Sequence, residues 1–263
     1  MISHNRHAPE CGVSESIGFM LILTLVIVGI GMVTLYGYPL LMKQQVSADE
    51  QIMEKNMIVL QNDIKSLAYK TVPYKETSLK IGGGTLGVYN ASSTPAISTI
   101  TLYNADTSEV YVQEFHPGDL RYESENAQED ISLQNGAVLK RPRLNTGSVM
   151  IAEPRWFYDS TSNTMVINLI SINSTTFMSR EGIGTVQMAL GESSYQYVPL
   201  DGDEVVVEYA PDPNADYSTA WNNYFVNSLN MEKVGTSTYR LPFDSSRKAT
   251  LAIKKYDVFI KSL

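Results

Sequence analysis

Cysteine is almost absent from this chain of 263 residues, which contains one, Cys11. Because a disulfide needs two cysteines, the chain cannot form one internally. The part of the protein that follows Cys11 must therefore be stabilised by its hydrophobic core. The 43% of hydrophobic and 18% of charged residues are typical of a folded protein and not of a disordered one.

Basic charge is also scarce. The chain has 20 Lys and Arg against 28 Asp and Glu, which gives a formal net charge of −8, and the sequence shows no run of basic residues. Affinity for nucleic acids comes from clustered Lys and Arg that neutralise phosphates. We therefore expect no nucleic-acid partner.

The motifs of catalysis and metal binding are missing as well. After the first twelve residues the chain contains one histidine, His116, and the Pro117-Gly118 that follows it is typical of a turn. The sequence contains no G-x-S-x-G, no H-E-x-x-H and no paired metal-ligand spacing. We expect no catalytic residues, no metal site and no cofactor, and hence a protein that is not an enzyme.

Two short patterns imitate ligand-binding motifs. Residues 82–87 match G-x-G-x-x-G, but the Val88-Tyr89-Asn90 that follows predicts a strand where nucleotide binding needs a helix. The pattern favours a flexible entry to a hairpin. Asp212, Asn214 and Asp216 alternate like calcium ligands, but the later Gly and Glu of that loop are missing, which favours a solvated acidic loop.

The longest feature that is present is an apolar run at residues 13–42. From Ser16 to Met42 it contains no Asp, Glu, Lys or Arg. A helix of about 20 apolar residues crosses the roughly 30 Å hydrocarbon core, and only a helix satisfies its backbone there by itself. A cleaved secretory peptide has an apolar core of only about 7–15 residues. The run therefore predicts a transmembrane helix that stays in the mature protein.

The start of this run resembles a known family. Cys11-Gly12-Val13-Ser14-Glu15-Ser16-Ile17-Gly18 resembles the N-terminus of archaeal type IV pilins and pilin-like surface proteins. Those chains have a short polar leader, a small residue before the cut and a V-S-x-x-I-G opening to the helix. The resemblance implies that a prepilin-type peptidase cleaves between Gly12 and Val13 and removes residues 1–12 as a leader. In this chain Glu15 lies third after that bond, whereas many members have an acidic residue in the fifth position.

The orientation follows from the resemblance and not from charge. Arg6 precedes the helix and Lys43 and Lys55 follow it, which does not favour a cytoplasmic N-terminus. The resemblance implies a single-pass protein of the cell membrane, with its N-terminus cytoplasmic and its C-terminal domain extracellular. Asn90-Ala91-Ser92 and Asn173-Ser174-Thr175 match N-x-[ST], so Asn90 and Asn173 are candidate glycosylation sites.

Residues 43–72 continue the helical pattern as an amphipathic stalk. Its apolar residues are spaced 4, 3, 4 and 3 apart, which predicts one buried helix face. Two interpretations remain open: the face packs on the β domain of the same chain, or it packs on equivalent helices in a filament. The members of this face, which we call the helix stripe, are Met53, Met57, Leu60, Ile64 and Leu67.

From Pro73 onward the pattern changes to short strands separated by turn residues, which predicts a mainly antiparallel, sandwich-like β domain over residues 73–263. One short helix with an aromatic face is predicted between Tyr217 and Leu229. With the N-terminal helix, the fold class is α+β. The predicted strands are Ser98–Tyr103, Val110–Phe115, Met165–Ile172, Gly184–Leu190, Glu204–Tyr209 and Tyr256–Ile260.

These patterns predict a membrane-anchored, pilin-like cell-surface protein, structural or filament-forming through its N-terminal helix. Its partners would be the membrane, further copies or other pilin-like subunits, and the prepilin-type peptidase. The alternative is a monomeric anchored module whose β domain binds a glycan or another surface protein. A tethered hydrolase is a third interpretation that no motif supports.

The first prediction concerns cleavage of the leader. We expect Val13 to be the first residue of the mature native protein, because Gly12-Val13-Ser14 stands directly before the apolar helix. Intact-mass or N-terminal analysis of the native protein measures this. A mature chain that begins at Met1 or Ile2 would remove the main support for pilin-type processing.

Overall fold

The computed structural model describes residues 11–70, 72–92, 98–244 and 246–263, with side chains from residue 15 onward. The predicted leader residues 1–10 lie outside this part of the chain. The fold consists of two compact units, Met1–Ala48 and Asp49–Leu263. The sequence predicts a boundary at residues 72 and 73, whereas the second unit begins at Asp49 and includes most of the stalk, because the helix stripe belongs to the core of that unit.

Two helices occupy the N-terminal part. Helix α1 covers Cys11–Met32, a π-helical segment covers Val33–Gly37, and helix α2 covers Tyr38–Lys70. Pro39 has no N–H to donate to the carbonyl four residues earlier, and its ring crowds that carbonyl. In the wider turn that precedes it, the Tyr38 N–H donates to the Val33 carbonyl, as π-helical geometry requires. The helix therefore passes the proline with a local change of winding.

The second half of α2 is a core element of the second unit. All five residues of the helix stripe have 0% exposure, and they pack on strands of the same chain. The stripe therefore packs within one chain, and the structure leaves none of it exposed for a neighbouring helix. Gln61 is buried beside it and donates its Nε2 to the carbonyls of Gly136 (2.7 Å) and Glu153 (3.0 Å). A fragment starting at residue 73 would lack this part of the core.

The strands follow one another with one short helix between them. In chain order they are β1 Tyr74–Tyr89, β2 Thr99–Asn104, β3 Val110–Phe115, β4 Asp119–Ser124, β5 Glu129–Gln134, β6 Ala137–Pro142, β7 Val149–Ala152, β8 Phe157–Asp159, β9 Thr164–Ser174, β10 Met178–Leu200, β11 Val205–Ala210, β12 Glu232–Lys233, β13 Thr238–Arg240 and β14 Ala249–Ser262. Each of the six predicted strands overlaps one of these. The coarse prediction of an α+β fold with a mostly antiparallel β domain is confirmed.

Within the described residues the strands form two sheets. The large sheet has the order β7-β6-β5-β4-β1-β10-β14-β9-β8, and the small sheet has the order β12-β13-β11-β2-β3. All pairs are antiparallel except β14 and β9, which run parallel. The reason is that β14 lies between β9 and β10, which are joined by a short connection and run in opposite directions. Because β14 pairs antiparallel with β10, it must run parallel to β9.

Both faces of the large sheet are buried, but along different parts of its length. In β9, Met165, Ile167 and Leu169 face a cluster that includes the small sheet, whereas Ile170 and Ile172 face α2. Neighbouring residues of a strand point to opposite faces, so the change of buried face requires that the adjacent Leu169 and Ile170 are both buried. Residues 167–172 of β9 are therefore all buried, including the polar Asn168 and Ser171, and lack the alternation of a half-exposed strand.

The predicted aromatic helix is present. Helix α3 covers Ser218–Asn223 and continues as a π-helical turn over Tyr224–Ser228. Trp221 and Phe225 have 0% exposure, and their ring centres lie 5.4 Å apart. Asp216 accepts the Ser218 backbone N–H (2.7 Å) just before the helix. The aromatic face is therefore the centre of the cluster beside the small sheet, while the sandwich-like arrangement of the two sheets stays a prediction.

The glycine-rich segment does not form the flexible entry that its composition suggests. It lies inside β1, where Gly84 pairs with Ser124 of β4. A Cβ atom at Gly84 would overlap the Glu123 carbonyl, and one at Gly82 would come within 2.5 Å of Asp49 Oδ1. The Tyr122 hydroxyl donates to the Gly82 carbonyl (2.5 Å). Gly84 is thus required by the close approach of β4 to β1.

The second prediction tests the helix stripe as a core element. Leu60→Ala should lower the free energy of unfolding by roughly 2–5 kcal/mol, because it leaves a cavity in a fully buried site. Chemical denaturation of the full chain in neutral detergent, followed by tryptophan fluorescence, measures this. The matched control is the neighbouring Val59→Ala, where the side chain is 46% exposed and the change should be nearly neutral. Equal effects of the two substitutions would contradict the assignment.

Candidate functional site

The most distinctive surface of the first unit is the outside of its apolar helix. The large apolar side chains from Ile17 to Met42 are exposed, between 37% at Met42 and 77% at Tyr36. Thr24 donates its hydroxyl to the Met20 carbonyl (2.8 Å) and Thr34 donates to the Ile30 carbonyl (2.9 Å). Both hydroxyls are thus satisfied by the helix itself. The resulting surface offers apolar contact without an unpaired threonine hydroxyl.

This helix is long and apolar enough to cross a membrane. The predicted cleavage site, Gly12 and Val13, lies in the first turn of α1. Nothing in the arrangement of these two residues tests the cut, which stays a prediction.

Both candidate glycosylation sites border one cavity of about 530 Å³ in the second unit. Asn90 donates its Nδ2 to the Ser174 carbonyl (2.5 Å), and Asn173 donates its Nδ2 to Ser171 Oγ (3.0 Å). The sequence places these two asparagines 83 positions apart (173 − 90), and the segment after β1 brings them together where the Ala91 N–H donates to the Ile172 carbonyl of β9 (3.0 Å). Whether they carry glycans stays a prediction.

The same cavity collects the residue types of a serine hydrolase without their connectivity. Ser171, His116 and Asp257 all line it. Ser171 Oγ donates directly to Asp257, so the carboxylate holds the hydroxyl that an imidazole would have to deprotonate. The buried Nδ1 of His116 has no described hydrogen-bond partner. The arrangement can hold a polar ligand, but it is not an assembled triad.

The loop with calcium-like spacing is held by arginines. Arg121 lies 3.5 Å from Asp212 and 2.6 Å from the fully buried Asp119. Arg141 donates to the Asn214 carbonyl (2.6 Å) and pairs with Asp130 (2.8 Å). The carboxylate of Asp212 and the backbone of Asn214 are therefore used in fastening the loop to β4 and β6. Among the described residues no cluster of three or more His, Cys, Asp or Glu has metal-site geometry.

A group of carboxylates on α2 and β5 was not predicted from the sequence. Lys140 Nζ lies 2.6 Å from Glu129 Oε2 and 3.0 Å from Glu54 Oε1. Glu50 lies beside them. Burial, and then the hydrogen bond and negative charge of Glu129, raise the pKa of Glu50 to about 7. These residues come from three elements, so their sequence spacing could not reveal the group.

Comparison with known proteins gives a family but no function. The chain matches the DUF7289 family, described as a family of unknown function, over residues 11–258. It belongs to that family. Neither curated proteins nor solved structures give a match.

The third prediction is a pH dependence that originates at Glu50. Since the unfolded chain loses this proton near pH 4.5 and the folded chain keeps it to about pH 7, the free energy of unfolding should fall as pH rises through this interval. Below it both states are protonated, and above it both are ionised, so the loss is complete. Glu50→Gln should flatten this part of the profile and melt at a higher temperature than the parent at pH 8.

Thermal melts of the full chain from about pH 4 to about pH 8 measure this dependence. Glu192→Gln is the matched control, because Glu192 is exposed and the same charge is removed. We expect its profile to follow that of the parent. A Glu50→Gln profile parallel to the parent would show that another group causes the dependence.

Proposed function

We propose that this chain is a membrane-anchored, pilin-like cell-surface protein. The observation that carries the proposal is the apolar helix, whose large side chains are exposed over residues 17–42 and whose two threonine hydroxyls are satisfied internally. Such a surface is stable in lipid or against other apolar helices, and unstable in water. The same side chains serve both environments, which is what a subunit that moves from membrane to fibre requires.

The proposal includes one membrane pass with the N-terminus cytoplasmic and the β domain extracellular. Tyr36 and Tyr38 stand near the end of the apolar run, and Lys43 follows it. Tyrosines are enriched at the membrane–water interface, where the ring lies in the boundary and the hydroxyl reaches water. This order supports a membrane exit near residues 36–43. The Gly12–Val13 opening supports processing by a prepilin-type peptidase.

The mechanism of the proposed protein is structural. The second unit has its own core, with α2 on one part of the large sheet and α3 with the small sheet on another. We propose a sandwich-like domain for this unit. The proposal assigns it no catalytic residue, metal or cofactor, and the direct bond from Ser171 to Asp257 supports a role other than hydrolysis.

An anchored binding module is the second candidate. The cavity that both sequons border favours it, because amide, hydroxyl, carboxylate and imidazole groups meet there beside the rings of Phe115 and Phe259. Polar groups that converge beside aromatic rings suit a glycan. The two functions differ in whether the helices of separate copies touch.

The fourth prediction separates them. The chain loses its one cysteine with the leader if cleavage follows Gly12, so an introduced cysteine acts as a single reporter. We expect shearing of cells to release fibres of Val26→Cys protein in which an oxidant links neighbouring copies. In the matched control, Val149→Cys, the cysteine replaces an exposed valine in the β domain, and much less linkage should form.

A cleavage control completes this experiment. Gly12→Trp should block cleavage and keep the protein out of the sheared material, since the peptidase accepts a small residue before the cut in the family that the sequence resembles. Parent protein that stays wholly in the membrane fraction, with unlinked Val26→Cys copies, would contradict fibre formation. That result would favour the anchored binding module.

A further inference from the structure

Four cationic side chains gather at the C-terminal end of α2 in a protein of net charge −8. Two adjoining cavities, of about 540 and 210 Å³, share Tyr69 and Arg155 in their walls. Lys65 and Lys70 of α2 line the first, and Lys254 of β14 lines the second. Among the described residues, neither wall contains an Asp or a Glu. We call the two cavities together the cationic cleft.

The charges of the cationic cleft are not neutralised within the described part of the chain. None of the ion pairs found there involves these three lysines or Arg155, although Asp and Glu outnumber Lys and Arg. Glu153, whose backbone contacts Lys65, directs its carboxylate to another residue. Lys65 Nζ lies 3.4 Å from the backbone oxygen of Glu153, whose carboxylate accepts from Ser228 Oγ (2.6 Å).

The Arg155 guanidinium lies over an aromatic ring, and its donors are free among the described hydrogen bonds. Its guanidinium carbon lies 4.9 Å from the centre of the Tyr69 ring, and that ring meets Tyr256 edge-on with the centres 5.6 Å apart. No described hydrogen bond uses the side-chain N–H groups of Arg155. A guanidinium fixed over a ring presents its N–H fork in its own plane, in the geometry that binds a carboxylate or sulfate through two bonds.

The cations also act on one another. Burial, and next the positive charge of Arg155, lower the pKa of Lys65. An anion between the two groups would offset this repulsion. The cleft is therefore electrostatically incomplete by itself.

An aromatic ring stands beside the charges. Phe157 lines the second cavity and is 45% exposed, while the neighbouring Trp156 is buried and donates its Nε1 to the Asn168 carbonyl (2.6 Å). The alternation of the strand thus holds Phe157 toward solvent. An exposed aromatic ring next to a guanidinium suits a ligand in which an anionic group is attached to a sugar ring.

We propose that the cationic cleft binds an anionic saccharide, with Arg155 and Lys65 on its carboxylate or sulfate and Phe157 against the sugar ring. Lys70 and Lys254 extend the positive surface to further acidic units of the same chain of sugars. This inference does not depend on fibre formation, since the cleft lies wholly in the second unit. It adds a ligand to a protein whose proposed role is structural.

The fifth prediction tests the cationic cleft by calorimetric titration of the full chain in neutral detergent. Trigalacturonate should bind, and its affinity should fall when NaCl is raised from about 50 to about 500 mM. A neutral trigalactoside should bind at least about tenfold more weakly, because it lacks the charge-assisted bonds. Sodium sulfate should displace trigalacturonate only weakly, because it supplies an anion but no sugar ring.

Variants assign the binding to the cationic cleft. Lys65→Gln/Arg155→Gln should weaken trigalacturonate binding by about tenfold or more. Phe157→Ala should weaken the binding of trigalacturonate but leave the binding of sulfate unchanged. Lys80→Gln/Arg180→Gln is the matched control, because it removes the same two charges from exposed positions in β1 and β10. Melting temperatures check that every variant is folded.

Three results would overturn the proposal. They are the absence of trigalacturonate binding, equal binding of the neutral trigalactoside, and an equal loss in the Lys80→Gln/Arg180→Gln control. Sulfate that binds as tightly as trigalacturonate, with Phe157→Ala unchanged, would overturn the saccharide assignment in favour of a free-anion site.

Discussion

The contact between the helix stripe and the large sheet supports the rest of the second unit. Five side chains with no exposure fill the space between α2 and the strands, and burial of each contributes about 1.5–3 kcal/mol before conformational entropy is subtracted. A domain is stable by only about 5–15 kcal/mol in total, so this one contact is comparable with the whole margin. With no disulfide available, no covalent link compensates for its loss. The β domain and α2 are therefore one folding unit.

The same contact explains the unusual parts of the large sheet. Gly82 lies beside the Asp49 side chain of α2, and Gly84 lies where β1 passes so close to the Glu123 carbonyl of β4 that a side chain would force the two strands apart. Gln61 reaches from the helix to two backbone carbonyls that the sheet leaves unpaired. Further along β9 and β14, the buried side chains lie on the opposite face of the sheet. There they pack against the aromatic cluster of α3 and not against α2.

Charge is distributed in two contrasting ways. In β4 and β5 buried carboxylates are paired: Asp119 with the buried Arg121, and Asp130 with Arg141 of β6 and the exposed Arg143. Such pairs fix the loop at Asp212 and Asn214, and removal of one partner would leave a costly buried charge. At the cationic cleft the cations face solvent and one another, and the described part of the chain places no carboxylate in the wall. The first arrangement serves the fold, and the second suits a ligand.

The sequence by itself determined the apolar helix, the strands with ordinary alternation, the aromatic helix and the helix stripe as a periodic apolar face. Each of these signals is local, because a period of two or of 3.6 residues is written in neighbouring positions. Strands β4 to β6 escaped prediction because their charged residues, such as Asp119 and Arg121, imitate a solvated loop until the pairing of those charges is known. Tertiary structure alone decided which surface covers the stripe, why β14 runs parallel to β9, and how Lys65, Arg155 and Lys254 meet. Those features depend on contacts between residues far apart in the chain, and no local pattern encodes such contacts.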